Sequence, residues 1–170
     1  MSLKDLPPIR EALEEYGLLA KKSFGQHFLL DLNITRKIAR LAEVVEGQTV
    51  IEVGPGPGGL TRALLEAGAK VIAVEMDPRF FPLLNGLGDA APGQLHLVQN
   101  DALRVKEADL IAEHAPGTQA SVVANLPYNV GTALLLKWLT GPWQPRSMTL
   151  MFQKEVADRI TAQVGDDAYG

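Results

Sequence analysis

Between Thr49 and Gly68 a short run rich in β-branched residues, TVIEV (49–53), passes through Gly54-Pro55-Gly56-Pro57-Gly58-Gly59 into the helical pattern LTRALLEAG (60–68). No other stretch of the chain narrows its fold so far. A strand that hands over through glycines to a helix is the first half of a βαβ unit, because parallel strands must be joined by a long crossover. The alternation then continues. KVIAVEM (70–76), LHLVQ (95–99), SVVAN (121–125) and SMTLMF (147–152) read as strands, while GTALLLKWL (131–139) and QKEVADRITAQV (153–164) read as helices. Pro78 stands where a further helix can begin. Five strands separated by helices predict an α/β fold, a mostly parallel sheet with helices on both faces. In such sheets ligands bind beyond the carboxyl ends of the strands, at the point where the strand order reverses.

Upstream, Pro7–Gly17 carries two prolines suited to a helix start, then Ile9, Leu13 and Tyr16 on one face, and Gly17 as the stop. A polar, basic loop follows at 20–28. Asp31 is placed to cap a helix whose Ile34, Ile38, Leu41, Ala42 and Val45 recur at helical spacing.

The strand ends hold the candidate chemistry. Gly54, Gly56 and Gly59 satisfy G-x-G-x-x-G, in the context that lets a ligand approach the backbone, although a plain βα turn has the same signature. Glu75 ends the next strand 21 residues after Gly54, the position from which a carboxylate reaches ribose hydroxyls. Pro55 and Pro57 offer no N–H to a pyrophosphate, which favours S-adenosylmethionine over a dinucleotide. Asn100-Asp101 ends the third strand; the Asp side chain there can accept an adenine amine, or can simply form a turn. Asn125-Leu126-Pro127-Tyr128 ends the fourth. An adenine amine is a poor nucleophile because its lone pair is delocalised into the ring. The Asn125 side-chain oxygen and the Leu126 carbonyl can hold both of its hydrogens and aim the lone pair. Pro127 fixes the turn, and Tyr128 offers a face on which an extruded base can stack. Most of the rate would then come from positioning.

These segments resemble the ribosomal RNA adenine N6-dimethyltransferases, in particular the bacterial group acting on small-subunit RNA. The resemblance runs from about Lys21 to Gly170 through FGQHFL (24–29), EVGPGPGGLT (52–61), VEMD (74–77), QNDAL (99–103), NLPYN (125–129) and FQKEVADRI (152–160). It implies a Rossmann-like class I methyltransferase fold using S-adenosyl-L-methionine. Gln26, His27 and Leu29 would line the methionine end of the cofactor, with His27 standing where the family usually has Asn. Gly54, Gly56, Glu75, Met76, Asp101, Ala102 and Asn125 fall on the remaining cofactor contacts. Asn125, Leu126, Pro127 and Tyr128 fall on the catalytic clamp for the target base, and Phe152 lies near it or in the core. The reaction implied is N6,N6-dimethylation of two adjacent adenosines near the 3′ end of the small-subunit RNA, within a pre-30S particle. Family members continue beyond residue 170 with two more strands and a helical RNA-contacting domain. Residues 1–30 are therefore expected to form an N-terminal helix and cofactor-lining loop, and 31–170 a catalytic domain cut before the last strands.

Composition limits the alternatives. The chain has no cysteine, and its three histidines form no H-x-x-x-H pair, so no metal is expected. The charged N-terminus is not a secretory signal, and no apolar run is long enough to span a bilayer. A cytoplasmic monomer is the expectation. The net charge of −4 argues mildly against nucleic-acid binding, since phosphate contact usually leaves a basic footprint. Under the resemblance much of that footprint belongs to the absent domain. Lys21, Lys22, Arg36, Lys37 and Arg40 form a modest basic cluster that serves equally as a solvated helix face. Three rivals stay open: a large-subunit RNA dimethyltransferase, an NAD-dependent oxidoreductase using Gly54–Gly59, and a ribosome-assembly factor that keeps the fold without the chemistry.

Overall fold

The computed structural model describes residues 1–18, 30–126, 129–152 and 154–167. Its centre is a five-stranded sheet of β1 (Thr49–Val53), β2 (Lys70–Glu75), β3 (Leu95–Gln99), β4 (Ala120–Asn125) and β5 (Met148–Met151), in the order β3-β2-β1-β4-β5. All four pairings are parallel. The chain therefore builds outward from β1 in one direction, then returns to build outward in the other. The reversal falls between β1 and β4.

Side-chain alternation along each strand divides the core into two layers. Val50, Val71, Ala73 and Val123 point into the layer covered by α1 (Ile9–Glu15), α2 (Leu32–Leu41), α3 (Gly59–Glu66) and α4 (Phe81–Ala90). Ile51, Val53, Ile72, Val74, Val122 and Ala124 point into the opposite layer. That layer is filled by Leu110 and Ile111 of α5 (Glu107–His114) and by Leu134 and Trp138 of α6 (Gly131–Thr140). The last helix, α7 (Lys154–Thr161), buries no residue. The central strands are buried on both faces, as their unbroken apolar runs require, whereas β5 is only half-buried.

Every predicted strand is present. The helix expected within Pro7–Gly17 spans Ile9–Glu15, with Ile9 and Leu13 buried but Tyr16 exposed. Asp31 caps α2 as expected, its Oδ1 accepting the Asn33 N–H at 2.8 Å. The face that α2 buries only partly matches the one its periodicity predicted: Ala42 is buried and Ile38 packs against the core. Ile34, Leu41 and Val45 are exposed, and the residues buried within the helix, which packs against α3, are Thr35 and Ala39. Short side chains on that stripe let the two helices approach closely, and close approach outweighs the larger aliphatic area of the neighbouring stripe. The helix α5 was not singled out in the sequence.

One buried cation fixes the N-terminal segment. The Arg62 guanidinium on α3 donates to the carbonyls of Leu3, Leu6 and Pro7 at 2.8–3.2 Å, and it lies 3.7 Å from Glu66. This segment has little regular structure of its own to satisfy those carbonyls, so the guanidinium supplies the donors. The basic cluster is partly committed in the same region, because Arg36 makes a two-pronged pair with Glu66 at 2.8 and 3.2 Å. Lys37 and Arg40 are exposed, and Lys21 and Lys22 lie outside the described residues. No described helix is long and apolar enough to cross a membrane. His96 and His114 stack with ring centroids 4.7 Å apart, yet no group of three or more potential ligands able to hold a metal occurs among the described residues.

Candidate active site

The strand register brings the predicted residues to one level. Val53 pairs with Val74, so Gly54 and Glu75 stand side by side just beyond that pair. On the other side Ile51 pairs with Val122, and three residues farther along both chains come Gly54 and Asn125. Glu75 pairs with Gln99, which puts Asp101 two residues past the same level. The glycine turn, the acid, the Asp and the Asn thus line one rim of the sheet, spanning the reversal between β1 and β4.

The glycine turn is held by the acid itself. Glu75 Oε1 accepts the Gly56 N–H at 2.9 Å and Oε2 accepts the Asp77 N–H at 3.0 Å. One largely buried carboxylate therefore ties the loop after β1 to the loop after β2, and each of its oxygens keeps a lone pair for a further donor. Gly54 and Gly56 have positive φ, and a Cβ at Gly56 would meet no atom of the described residues within 4 Å. Its backbone is open to a ligand. Gly58 does a different job. A Cβ there would come within 2.5 Å of Leu87 and 3.2 Å of Leu84, so its absence lets α3 start tightly against α4. Sequence matching had favoured Gly59, which is the first residue of α3 and not a left-handed turn position.

The sequence reading missed Glu52, which is wholly buried beneath this turn and accepts the Thr61 hydroxyl hydrogen bond. Burial pushes its carboxyl up to about 8; the Thr61 hydrogen bond opposes the rise and the nearby Glu75 charge adds to it. Its only advance signal was an acid at an inward position of a strand otherwise made of Thr, Val and Ile.

At the third strand end, Asn100-Asp101 forms the turn that its residue types allow. Asp101 Oδ1 accepts the Leu103 N–H at 2.9 Å, closing a turn, and Asn100 Oδ1 accepts the Asp101 N–H at 2.7 Å. Oδ2 is 3.8 Å from Arg104 Nε, too far for a hydrogen bond, and so retains its accepting capacity. Met76, which follows Glu75, is 62% exposed, while Ala102 is buried.

Asn125 is 8% exposed at the end of β4, and the Leu126 N–H donates to the Met151 carbonyl at 3.0 Å. That bond, with the buried Leu126 side chain, fixes the peptide that follows Asn125. Phe152 packs below. A Cβ at Gly131 would come within 3.1 Å of Phe152 and 3.3 Å of Leu126, so the glycine at the start of α6 lets the aromatic ring reach the motif from beneath. Gln26, His27, Leu29, Pro127 and Tyr128 lie outside the described residues.

The chain is 71% identical to a ribosomal RNA small subunit methyltransferase A from Phenylobacterium zucineum, over all of this chain and 58% of that protein. It is 69% identical to the one from Caulobacter vibrioides, over 89% of this chain and 57% of that protein. The chain thus spans rather more than half the length of these relatives. Among solved structures it resembles a dimethyladenosine transferase from Plasmodium falciparum, with a TM-score of 0.66 and 30% identity over 82% of this chain and 48% of the other. It also resembles the 23S rRNA methyltransferase ErmE, with a TM-score of 0.60 and 28% identity over 76% and 49%. Residues 17–170 match the family described as ribosomal RNA adenine dimethylase. A match over nearly the whole chain, on a parallel sheet with a Gly-acid-Asp-Asn rim, leaves one assignment: this chain belongs to the ribosomal RNA adenine dimethylase family.

Proposed function

We propose that the chain binds S-adenosyl-L-methionine and carries the catalytic machinery for N6,N6-dimethylation of two adjacent adenosines near the 3′ end of small-subunit ribosomal RNA, on a pre-30S particle in the cytoplasm. The observation that carries this reading is the common level of Gly54, Glu75 and Asn125, with Asp101 two residues beyond. The names of the similar curated proteins favour the small subunit over the large one. The residues present suit the cofactor. Gly56 leaves its backbone uncovered, Glu75 has lone pairs left for two ribose hydroxyls, and Asp101 Oδ2 can accept an adenine amine. Gln26, His27 and Leu29 are proposed for the methionine end.

When bound, the cofactor supplies an electrophilic methyl group on a sulfonium. The chain's own contribution is to hold the acceptor. In the first transfer Asn125 Oδ1 and the Leu126 carbonyl accept the two N6 hydrogens of the target adenine, which draws the amine lone pair out of conjugation and fixes its direction; the proton displaced by the methyl leaves to solvent, and in the second transfer the one remaining hydrogen is held. Pro127 and Tyr128 complete the clamp, the ring stacking on the extruded base. Neither a strong base nor a metal ligand is needed for these steps.

Calorimetric titration with S-adenosylhomocysteine, with NAD as the control, tests the cofactor assignment. Binding of the former alone is expected; binding of NAD alone would replace the methyltransferase reading by the oxidoreductase one. The Glu75→Ala variant should lose on the order of 100-fold in S-adenosylhomocysteine affinity, because the ribose and the tie to Gly56 are lost together. Its melting temperature should fall by about 3–6 °C, since charge-assisted hydrogen bonds to two backbone N–H groups go unmade. An unchanged affinity in that titration would remove Glu75 from the ligand site.

A further inference from the structure

Lys137 lies on α6, away from the rim, yet its ammonium is aimed back at it. Nζ donates to the Ala102 carbonyl at 2.8 Å and the Val105 carbonyl at 2.6 Å, and it lies 2.7 Å from Glu107 Oε1. Three acceptors thus meet the three hydrogens of one ammonium. Glu107 is buried at the first position of α5, where a negative charge complements the helix N-terminus, and the same Oε1 accepts the Trp138 indole N–H at 3.0 Å. The lysine and the tryptophan are consecutive on α6, so that helix grips both the turn after β3 and the start of α5.

The two carbonyls that Lys137 holds bracket the turn presenting Asp101. Within the turn, Asp101 accepts the Leu103 N–H through its side chain and the Arg104 and Val105 N–H groups through its carbonyl. Such local bonds set the shape of the turn but not its position. Ala102 and Val105 anchor it by burial, which is non-directional, and Lys137 adds contacts that fix its angle. The helix making this contact begins at Gly131, just after the Asn125–Tyr128 motif, and Leu126 packs against its first residue. One helix therefore borders the target-base clamp at its start and holds the proposed adenine-binding turn two helical turns later.

Resting on the cofactor assignment above, we propose that Lys137, backed by Glu107 and Trp138, is a positioning residue for the adenine end of the cofactor, setting Asp101 relative to the target-base clamp. Stability alone does not require an ammonium at this place, because an apolar side chain of similar length often replaces a buried ion pair at little cost. Its directional grip on two carbonyls is what such a replacement lacks.

The test compares the unaltered chain with Lys137→Met and with the double variant Lys137→Met/Glu107→Gln, which leaves no unpaired carboxylate. Each is titrated with S-adenosylhomocysteine and with S-inosylhomocysteine, whose exocyclic carbonyl oxygen replaces the amine that Asp101 would read. Amide hydrogen exchange of residues 102–106 is followed beside that of β1 and β4. In both variants the affinity for S-adenosylhomocysteine should fall about 10-fold and that for the inosine analogue less than about 2-fold. Exchange in 102–106 should quicken about 10-fold or more, with the central strands unchanged. Equal loss for the two ligands, or unchanged exchange in the turn, would show a merely structural lysine and overturn the proposal. If the unaltered chain binds neither ligand, the cofactor assignment itself fails and this inference falls with it; if it binds both equally, only the Asp101 part of the assignment fails, again taking the inference along.

Discussion

Replacing Asn125 by Ala should lower the rate of methyl transfer to immature small ribosomal subunits by about 10²–10³-fold while reducing S-adenosylhomocysteine affinity less than about 10-fold. The magnitude is that of deleting one preorganised polar group aimed at the reacting atom. The asymmetry follows from position. Asn125 is buried at the end of β4, level with Gly54, but the acid that grips the glycine turn is Glu75 on β2. Losing the Asn125 side chain leaves the Glu75 ties to Gly56 and Asp77 standing and takes away only the acceptor proposed for the target amine. Single-turnover kinetics at saturating cofactor, beside calorimetry, separate the two effects. A variant that lost cofactor binding in step with rate would place Asn125 on the cofactor and not on the base.

Glu52→Gln is expected to flatten the dependence of stability on pH. In the unfolded chain this carboxyl titrates near its ordinary 4.5, and in the fold burial pushes it up to about 8. Between those values the folded state holds a proton that the unfolded state has released. The stability tied to that proton is fully present below about 4.5 and is lost as pH rises through 8, by on the order of 5 kcal/mol. That is a large share of a total of about 5–15 kcal/mol for a domain. The glutamine keeps a group able to bond Thr61 and carries no charge at any pH. Urea unfolding from pH 5 to 9 should therefore show the unaltered chain weakening more steeply than the variant, with the variant the more stable at pH 9. Parallel curves would mean that Glu52 stays ionised in the fold.

The fold was legible because its strands are short apolar runs punctuated by glycine and proline, and all five lie where the runs do. The rim was legible for a related reason: in a parallel sheet the residue ending each strand is the residue that faces the ligand. Position along the chain then translates directly into position in space for Gly54, Glu75, Asp101 and Asn125. What stayed hidden depends on contacts between distant segments. Lys137 and Glu107 are 30 residues apart and read singly as surface charges, although together they coordinate a turn. Arg62 reads as the polar face of α3, yet it is buried under the N-terminal segment whose carbonyls it satisfies. The face buried by α2 was read only in part: Ile38 and Ala42 do pack inward, but periodicity weighs apolar size, and the helix also buries the smaller Thr35 and Ala39 while Ile34, Leu41 and Val45 stay exposed. Glu52 escaped because its place beneath the glycine turn and its bond to Thr61 arise only once α3 folds back over β1.

The strand order has a consequence for how the chain assembles. β1, β2 and β3 are contiguous in the sheet and arise from about fifty consecutive residues, whereas β4 must return across the whole of that unit to pair with β1. Loop-closure entropy makes the three-stranded half the cheaper one to form first, with β4, α6 and β5 docking onto it later. The boundary between early and late halves is the β1–β4 seam, and the glycine turn and Asn125 stand on its two banks. A ligand seated there bridges a folding interface as well as a reaction site, so it should slow the parting of the two halves more than it slows the fraying of either edge.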